Sequence, residues 1–92
     1  MPEELTDNVK RGRFELGADG AQGHIDYRRS ASTFYLNHAE VPLALHGHGL
    51  GTRLVLATFD LIRSRGERFV PVCPFVRAVL RRHPEYSELS AE

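Results

Sequence analysis

Hydrophobic and polar positions along this chain first repeat every two residues and then every three or four. Phe14 and Leu16 bracket Glu15 and run into Gly17-Ala18-Asp19-Gly20, where Asp-Gly supplies the positive φ of a hairpin turn. Residues 21–28 set Ala21, Gly23, Ile25 and Tyr27 against Gln22, His24, Asp26 and Arg28, the alternation of a strand covered on one face. Ser30-Ala31 turns the chain. Ser32 to Val41, rich in Thr, Phe, Tyr, Leu and Val, reads as a third strand stopped by Pro42, which has no N–H for a sheet ladder. Three antiparallel strands are expected first.

The spacing then lengthens. Leu50, Leu54, Ala57, Thr58, Leu61 and Ile62 form one apolar helix face, ended by Gly66. Phe69-Val70-Pro71-Val72 is a short fourth strand, and Cys73-Pro74 opens a second helix with proline where a missing N–H costs nothing. Val76, Val79 and Leu80 give that helix its inner face, and His83-Pro84 closes it. The predicted order is βββ-α-β-α, an α/β (α+β) arrangement of a mostly antiparallel sheet with two helices.

Length changes this picture little: 92 residues hold one core, so residues 9–92 are expected to form a single domain. Residues 1–8, with Glu3, Glu4 and Asp7 around Leu5, are expected as a flexible N-terminus. Twelve basic and twelve acidic side chains cancel, so bulk charge points to neither nucleic acid nor an anionic membrane as partner. The single cysteine, Cys73, forms no internal disulfide, and no leader or long apolar span is seen; a cytoplasmic location is expected.

The candidate chemistry begins in residues 45–53, Leu-His-Gly-His-Gly-Leu-Gly-Thr-Arg. Three alternate glycines sit between a strand and an amphipathic helix. Glycines let backbone approach a ligand, and the free N–H groups and positive dipole end of a helix favour phosphate oxygens. Thr52 and Arg53 add side-chain donors. Neither the dinucleotide fingerprint nor the Gly-Lys-Ser/Thr of an ATP loop is present. On spacing alone, a glycine-rich connection that merely turns the chain into the helix is an equal reading. His46 and His48, two apart, with His38 nearby lack a cysteine or carboxylate at ligand spacing, so no metal site is expected.

Glu40-Val41-Pro42, His46-Gly47-His48-Gly49-Leu50-Gly51, Pro71-Val72-Cys73-Pro74-Phe75-Val76 and His83-Pro84-Glu85-Tyr86 together resemble the short stand-alone branch of the GNAT acetyltransferase superfamily. The likeness covers most of residues 9–89. Its motif, Gln/Arg-x-x-Gly-x-Gly/Ala, falls on His46, Gly49 and Gly51, and the resemblance implies a minimal GNAT fold that binds acetyl-CoA. Val41, His46, Gly47, His48, Gly49, Leu50, Gly51, Thr52 and Arg53 would then form the cofactor site, with the loop around the coenzyme A pyrophosphate. Histidine at the first motif position, in place of Arg or Gln, implies weaker or pH-dependent affinity. The pantetheine arm would lie in a splay between the strand ending at Val41 and the strand at residues 69–72, its thioester pointing towards Cys73.

Acetyl transfer to an amine, either a small molecule or a lysine, needs a base, donors to the thioester carbonyl and an acid for the leaving thiolate. Cys73, where a strand meets a helix N-terminus, is a candidate nucleophile or acid, although a lone buried cysteine is more often a packing residue. His38 and Glu40, near the end of the third strand, are candidate bases. Tyr86 is open between an acid and a lid over the core. Arg63, Arg65, Arg68, Arg77, Arg81 and Arg82 form a basic stretch against Glu67 alone, suited to the adenosine 3′-phosphate, an acidic partner or plain solvent. N-acetyltransferase is the leading expectation. A non-catalytic module that holds or senses acetyl-CoA and an arginine-faced interaction domain without cofactor are the alternatives.

Overall fold

Alternation places the apolar residues of successive strands on one face of a sheet. The computed structural model describes residues 5–18 and 21–92; the expected Asp19-Gly20 turn and the first four residues of the expected flexible N-terminus lie outside them. The sheet comprises β1 (Thr6–Asn8), β2 (Arg13–Ala18), β3 (Ala21–Ser30), β4 (Thr33–Glu40) and β5 (Arg68–Pro71), in that spatial order. The first four strands are antiparallel neighbours. β5 runs parallel to β4, as it must when a helix, α1 (Leu50–Ser64), carries the chain back across the sheet. A second helix, α2 (Pro74–Arg82), follows β5. Short 3₁₀ turns at Leu43–Leu45 and Pro84–Leu89 flank the helices. The architecture is the minimal mixed α/β arrangement expected, with one strand more.

That extra strand corrects where the fold begins. Residues 6–8 were expected to be too polar to order, yet β1 pairs with β2 through Thr6↔Glu15, Asp7↔Phe14 and Asn8↔Arg13. Polar partners hold it in place of a core. The Tyr27 hydroxyl donates to Asp7 Oδ1 at 2.5 Å, and Arg65 Nη1 at the end of α1 lies 3.0 Å from Asp7 Oδ2.

Phe14, Leu16, Ile25, Phe34, Leu36 and Phe69 supply the sheet's share of the core. Leu54, Val55, Phe59 and Ile62 of α1 and Val76 and Val79 of α2 supply the helices' share. Phe59 stacks on Phe69 with centroids 4.4 Å apart and planes 7° from parallel. Each fully buried large side chain contributes about 1.5–3 kcal/mol of transfer free energy. α1 closes at its C-terminus with Gly66 N donating to Arg63 O and Glu67 N to Ile62 O, which satisfies its last carbonyls. Arg29 pairs with the buried carboxylate of Glu67 beyond it. The outer edge of β5 is covered by the C-terminal tail, with Ala91 N donating to Phe69 O at 2.8 Å and Arg68 to Ser90 O.

Candidate active site

The site forms where β4 and β5 part. Their parallel ladder runs from Thr33↔Arg68 to Leu36↔Pro71, with a last bond from Cys73 N to Leu36 O at 2.9 Å. Beyond it β4 continues to Glu40 while β5 turns away. Two local causes are visible. The Pro71 carbonyl accepts a hydrogen bond from Arg77 Nε of α2 at 2.8 Å, which takes it out of any further ladder. In β4, Asp26 faces His38 while Tyr27 faces Leu36, so Asn37 is an extra residue and the strand bends there. The β5-side edge of residues 37–40 has no strand partner among the described residues.

The glycine loop meets this gap. Gly49 takes the N-cap position of α1 with φ 74° and ψ 7°, a left-handed conformation that side chains resist, and no side chain caps the helix. The first α1 residue whose amide reaches a backbone carbonyl is Arg53, bonded to Gly49 O at 3.1 Å. No acidic residue stands in the first turn to occupy the amides before it. The amides of Leu50, Gly51 and Thr52 thus stand at the positive end of the helix dipole and suit an anion.

Between the loop and the free edge of β4 lies a cleft of about 510 Å³. Of the residues expected to hold a cofactor, Val41, His46, Gly47, Gly49, Leu50, Gly51 and Thr52 line it. His48 and Arg53 stand outside that lining and brace the loop, with Arg53 Nη1 donating to His48 O at 2.8 Å. His46 is also fixed: its Nε2 is 2.9 Å from Val41 O, and because a carbonyl only accepts, that nitrogen carries the proton. Leu45, the first residue of the glycine-rich segment, lines it too, as do two residues the sequence reading did not place there, Ala39 and Phe75. Ala39 was not legible from alternation, which after Phe34 and Leu36 predicts His38 inward; the extra residue Asn37 shifts the phase and turns Ala39 in instead. Phe75, 43% exposed in the first turn of an arginine-rich helix, is an aromatic out of place for a solvated face.

The expected chemistry-bearing side chains are spread about this gap. Cys73 is the N-cap residue of α2, 5% exposed and packed within the core cluster, and it does not line the cleft. His38 and Glu40 are exposed on the later part of β4. Tyr86 donates its hydroxyl to Asp60 Oδ1 at 2.7 Å and tilts against Phe59. The Asp60 hydrogen bond, followed by burial, raises the Tyr86 pKa. Several arginines of the basic stretch bond their own chain: Arg63 donates to Glu85 O and lies over the Tyr86 ring, Arg65 pairs with Asp7, and Arg68 and Arg77 donate to backbone carbonyls.

An uncapped helix start facing a cleft between diverging strands defines a protein suited to an extended ligand with an anionic segment. The sequence matches a family model described as GCN5-related N-acetyl-transferase over residues 13–89, and the chain belongs to that family. The family generally uses acetyl-CoA. A comparison with curated proteins returns no match. No described helix is long and apolar enough to cross a membrane.

Proposed function

We propose that this chain binds acetyl-CoA with the diphosphate on the Gly47–Thr52 loop and the pantetheine arm along residues 37–41, and moves the acetyl group to an amine. The observation that carries this reading is the alignment of the uncapped α1 amides with the unpaired edge of β4 across one cleft. The residues present fit the group: free amides and a dipole end for phosphate, an open strand edge for the amide groups of the arm, and apolar walls at Val41, Leu50 and Phe75. Acetyl-CoA supplies the activated acyl group as a thioester. The chain supplies binding and orientation: the loop amides hold the diphosphate, the β4 edge fixes the arm's direction, and His46 is locked against Val41 O beside it. Glu40 and His38, exposed on β4, are the side chains proposed to take a proton from an incoming ammonium. Cys73, behind the last β4–β5 bond, is available only to a thioester that reaches into the core surface.

Calorimetric titration with acetyl-CoA, followed by assay of free thiol with and without an amine, tests this. Saturable binding with amine-dependent thiol release is the expected result. Binding without release would leave a cofactor-holding module, and no binding would overturn the proposal.

A further inference from the structure

On the face turned away from the core, β3 and β4 present a polar cleft of about 380 Å³, lined by Arg28, Ser30, Tyr35 and Asn37. Phe34 and Leu36 are buried in the core, so Tyr35 between them points to the other face of the sheet, where it is exposed. The register sets Arg28 directly across from Tyr35, and Ser30 lies two residues along the same strand, hence on the same face. Asn37, the extra residue of the β4 bend, completes the lining. All four side chains carry N–H or O–H donors, and none has a hydrogen-bond or ion-pair partner among the described residues. The other described strand arginines are engaged: Arg13 with Glu15, Arg29 with Glu67, and Arg68 with the Ser90 carbonyl. Asp26, two residues before Arg28, faces His24 at 3.7 Å and does not line the cleft.

One uncommitted guanidinium among three neutral donors matches a single negative charge. A carboxylate fits it: two oxygens accept the planar guanidinium fork side by side, and their remaining lone pairs take the hydroxyl and amide donors. A phosphate dianion would bring a second charge that no second cation meets, with Asp26 two residues away. We infer that this cleft binds a carboxylate, with Arg28 as its counter-ion and Ser30, Tyr35 and Asn37 as neutral donors. Its position gives the site a use. Asn37 lines the cleft and also begins the unpaired edge of β4, one residue after Leu36, whose carbonyl accepts the Cys73 amide. In the proposed pose that is the thioester end of the pantetheine arm, away from the glycine loop. The role in transfer rests on the transferase reading and narrows it: among amines, the chain selects those that also carry a carboxylate, held on Arg28 while the amine faces the thioester. Carboxylate binding itself stands apart from that reading.

The test is a ¹H–¹⁵N NMR titration of the full chain with propionate at neutral pH, with propionamide as the neutral control and inorganic phosphate as the alternative anion. Saturable shifts at Arg28, Tyr35 and Asn37, given by propionate, absent with propionamide and weaker with phosphate, are expected. Arg28→Gln should weaken propionate binding roughly tenfold or more with the rest of the spectrum in place, while Arg81→Gln, the same charge change at an exposed position of α2, should not. Equal shifts with propionamide, tighter binding of phosphate, or equal losses in the two variants would overturn the carboxylate site. Transfer is read separately, as thiol release from acetyl-CoA with β-alanine against β-alaninamide. A kcat/KM roughly tenfold higher for β-alanine, and a preference that falls in Arg28→Gln, are expected. Equal use of both amines, or release with neither, overturns the selection. If acetyl-CoA also leaves Gly47–Thr52 unshifted in the same sample, the transferase reading falls with it, while shifts with propionate keep the carboxylate site.

Discussion

The Phe75 ring stands over Gly51: a β-carbon added at Gly51 would lie 3.0 Å from Phe75 Cζ and 3.2 Å from Cε2. The first turns of α1 and α2 therefore meet beside the cleft of the glycine loop, and they meet there because residue 51 has no side chain. Gly51→Ala forces the ring to shift within the cleft. Phe75 is partly exposed, so the ring moves without disturbing the core, and alanine is favoured over glycine in a helix by up to about 1 kcal/mol. The expected outcome is a melting temperature within a few degrees of wild type together with an acetyl-CoA dissociation constant raised roughly tenfold, about 1.4 kcal/mol. Gly51→Ala combined with Phe75→Leu should recover part of the loss. Calorimetry and thermal melts on the two variants check this, and wild-type affinity in Gly51→Ala would remove the ligand from this part of the cleft.

Tyr27 gives the fold a pH limit on the alkaline side. Burial, and then its hydrogen bond to Asp7, pushes its pKa from 10.0 up to about 12. The folded state thus favours the neutral phenol more than the unfolded chain does, so this contribution to stability is complete below pH 10 and is lost as pH rises from 10 through 12. Tyr27→Phe removes the hydrogen bond and should lower stability near neutral pH by about 1 kcal/mol. The gap in melting temperature between wild type and variant should close between pH 10 and 12, and a gap that stays constant would show that Asp7 does not discriminate the two forms of Tyr27.

The succession of elements from β2 onwards, both helices and the loop were legible because each rests on a local rule: alternation in residues 21–28, the three-to-four spacing after Leu50, Pro74 at a helix start and Gly66 at a helix end. β1 was not, because Asp7 is held by Tyr27 and Arg65, twenty and fifty-eight residues away, and nothing near Asp7 announces either. Phe75 escaped for the same reason, since it acquires its meaning from Gly51 on another helix.

Cys73 is expected to behave as a packing residue. It lies within the core cluster, 5% exposed, behind the hydrogen bond from its own amide to Leu36 O. Cys73→Ala should cost roughly 1–2 kcal/mol by leaving a small void, with acetyl-CoA binding intact. The native thiol should react slowly with a thiol reagent and rapidly once denaturant is added. Intact-mass measurement after incubation with acetyl-CoA, without amine, should find the protein unmodified; an acetyl adduct lost in Cys73→Ala would instead make Cys73 a covalent acceptor.

Gly47 offers the sharpest separation of charge from shape. Its φ is 83°, and a β-carbon built on it meets nothing within 4 Å, so a side chain there has room but needs a left-handed backbone. Asparagine and aspartate are the side chains that tolerate that conformation best, and they are nearly the same size. Gly47→Asn and Gly47→Asp should therefore share a similar small loss of stability, leaving charge as the main difference between them at the loop. If the amides beyond Gly49 hold a diphosphate, the aspartate variant should bind acetyl-CoA roughly thirtyfold more weakly than the asparagine variant, about 2 kcal/mol, through like-charge repulsion. Because such repulsion is screened, raising salt from 0.05 to about 0.5 M should narrow the gap several-fold. Equal affinities at low salt would mean that no anion lies near residue 47. Equal and complete loss in both would instead mean that the open space beside Gly47 is filled by the ligand itself, so that the glycine is required for its size and not for the charge it admits.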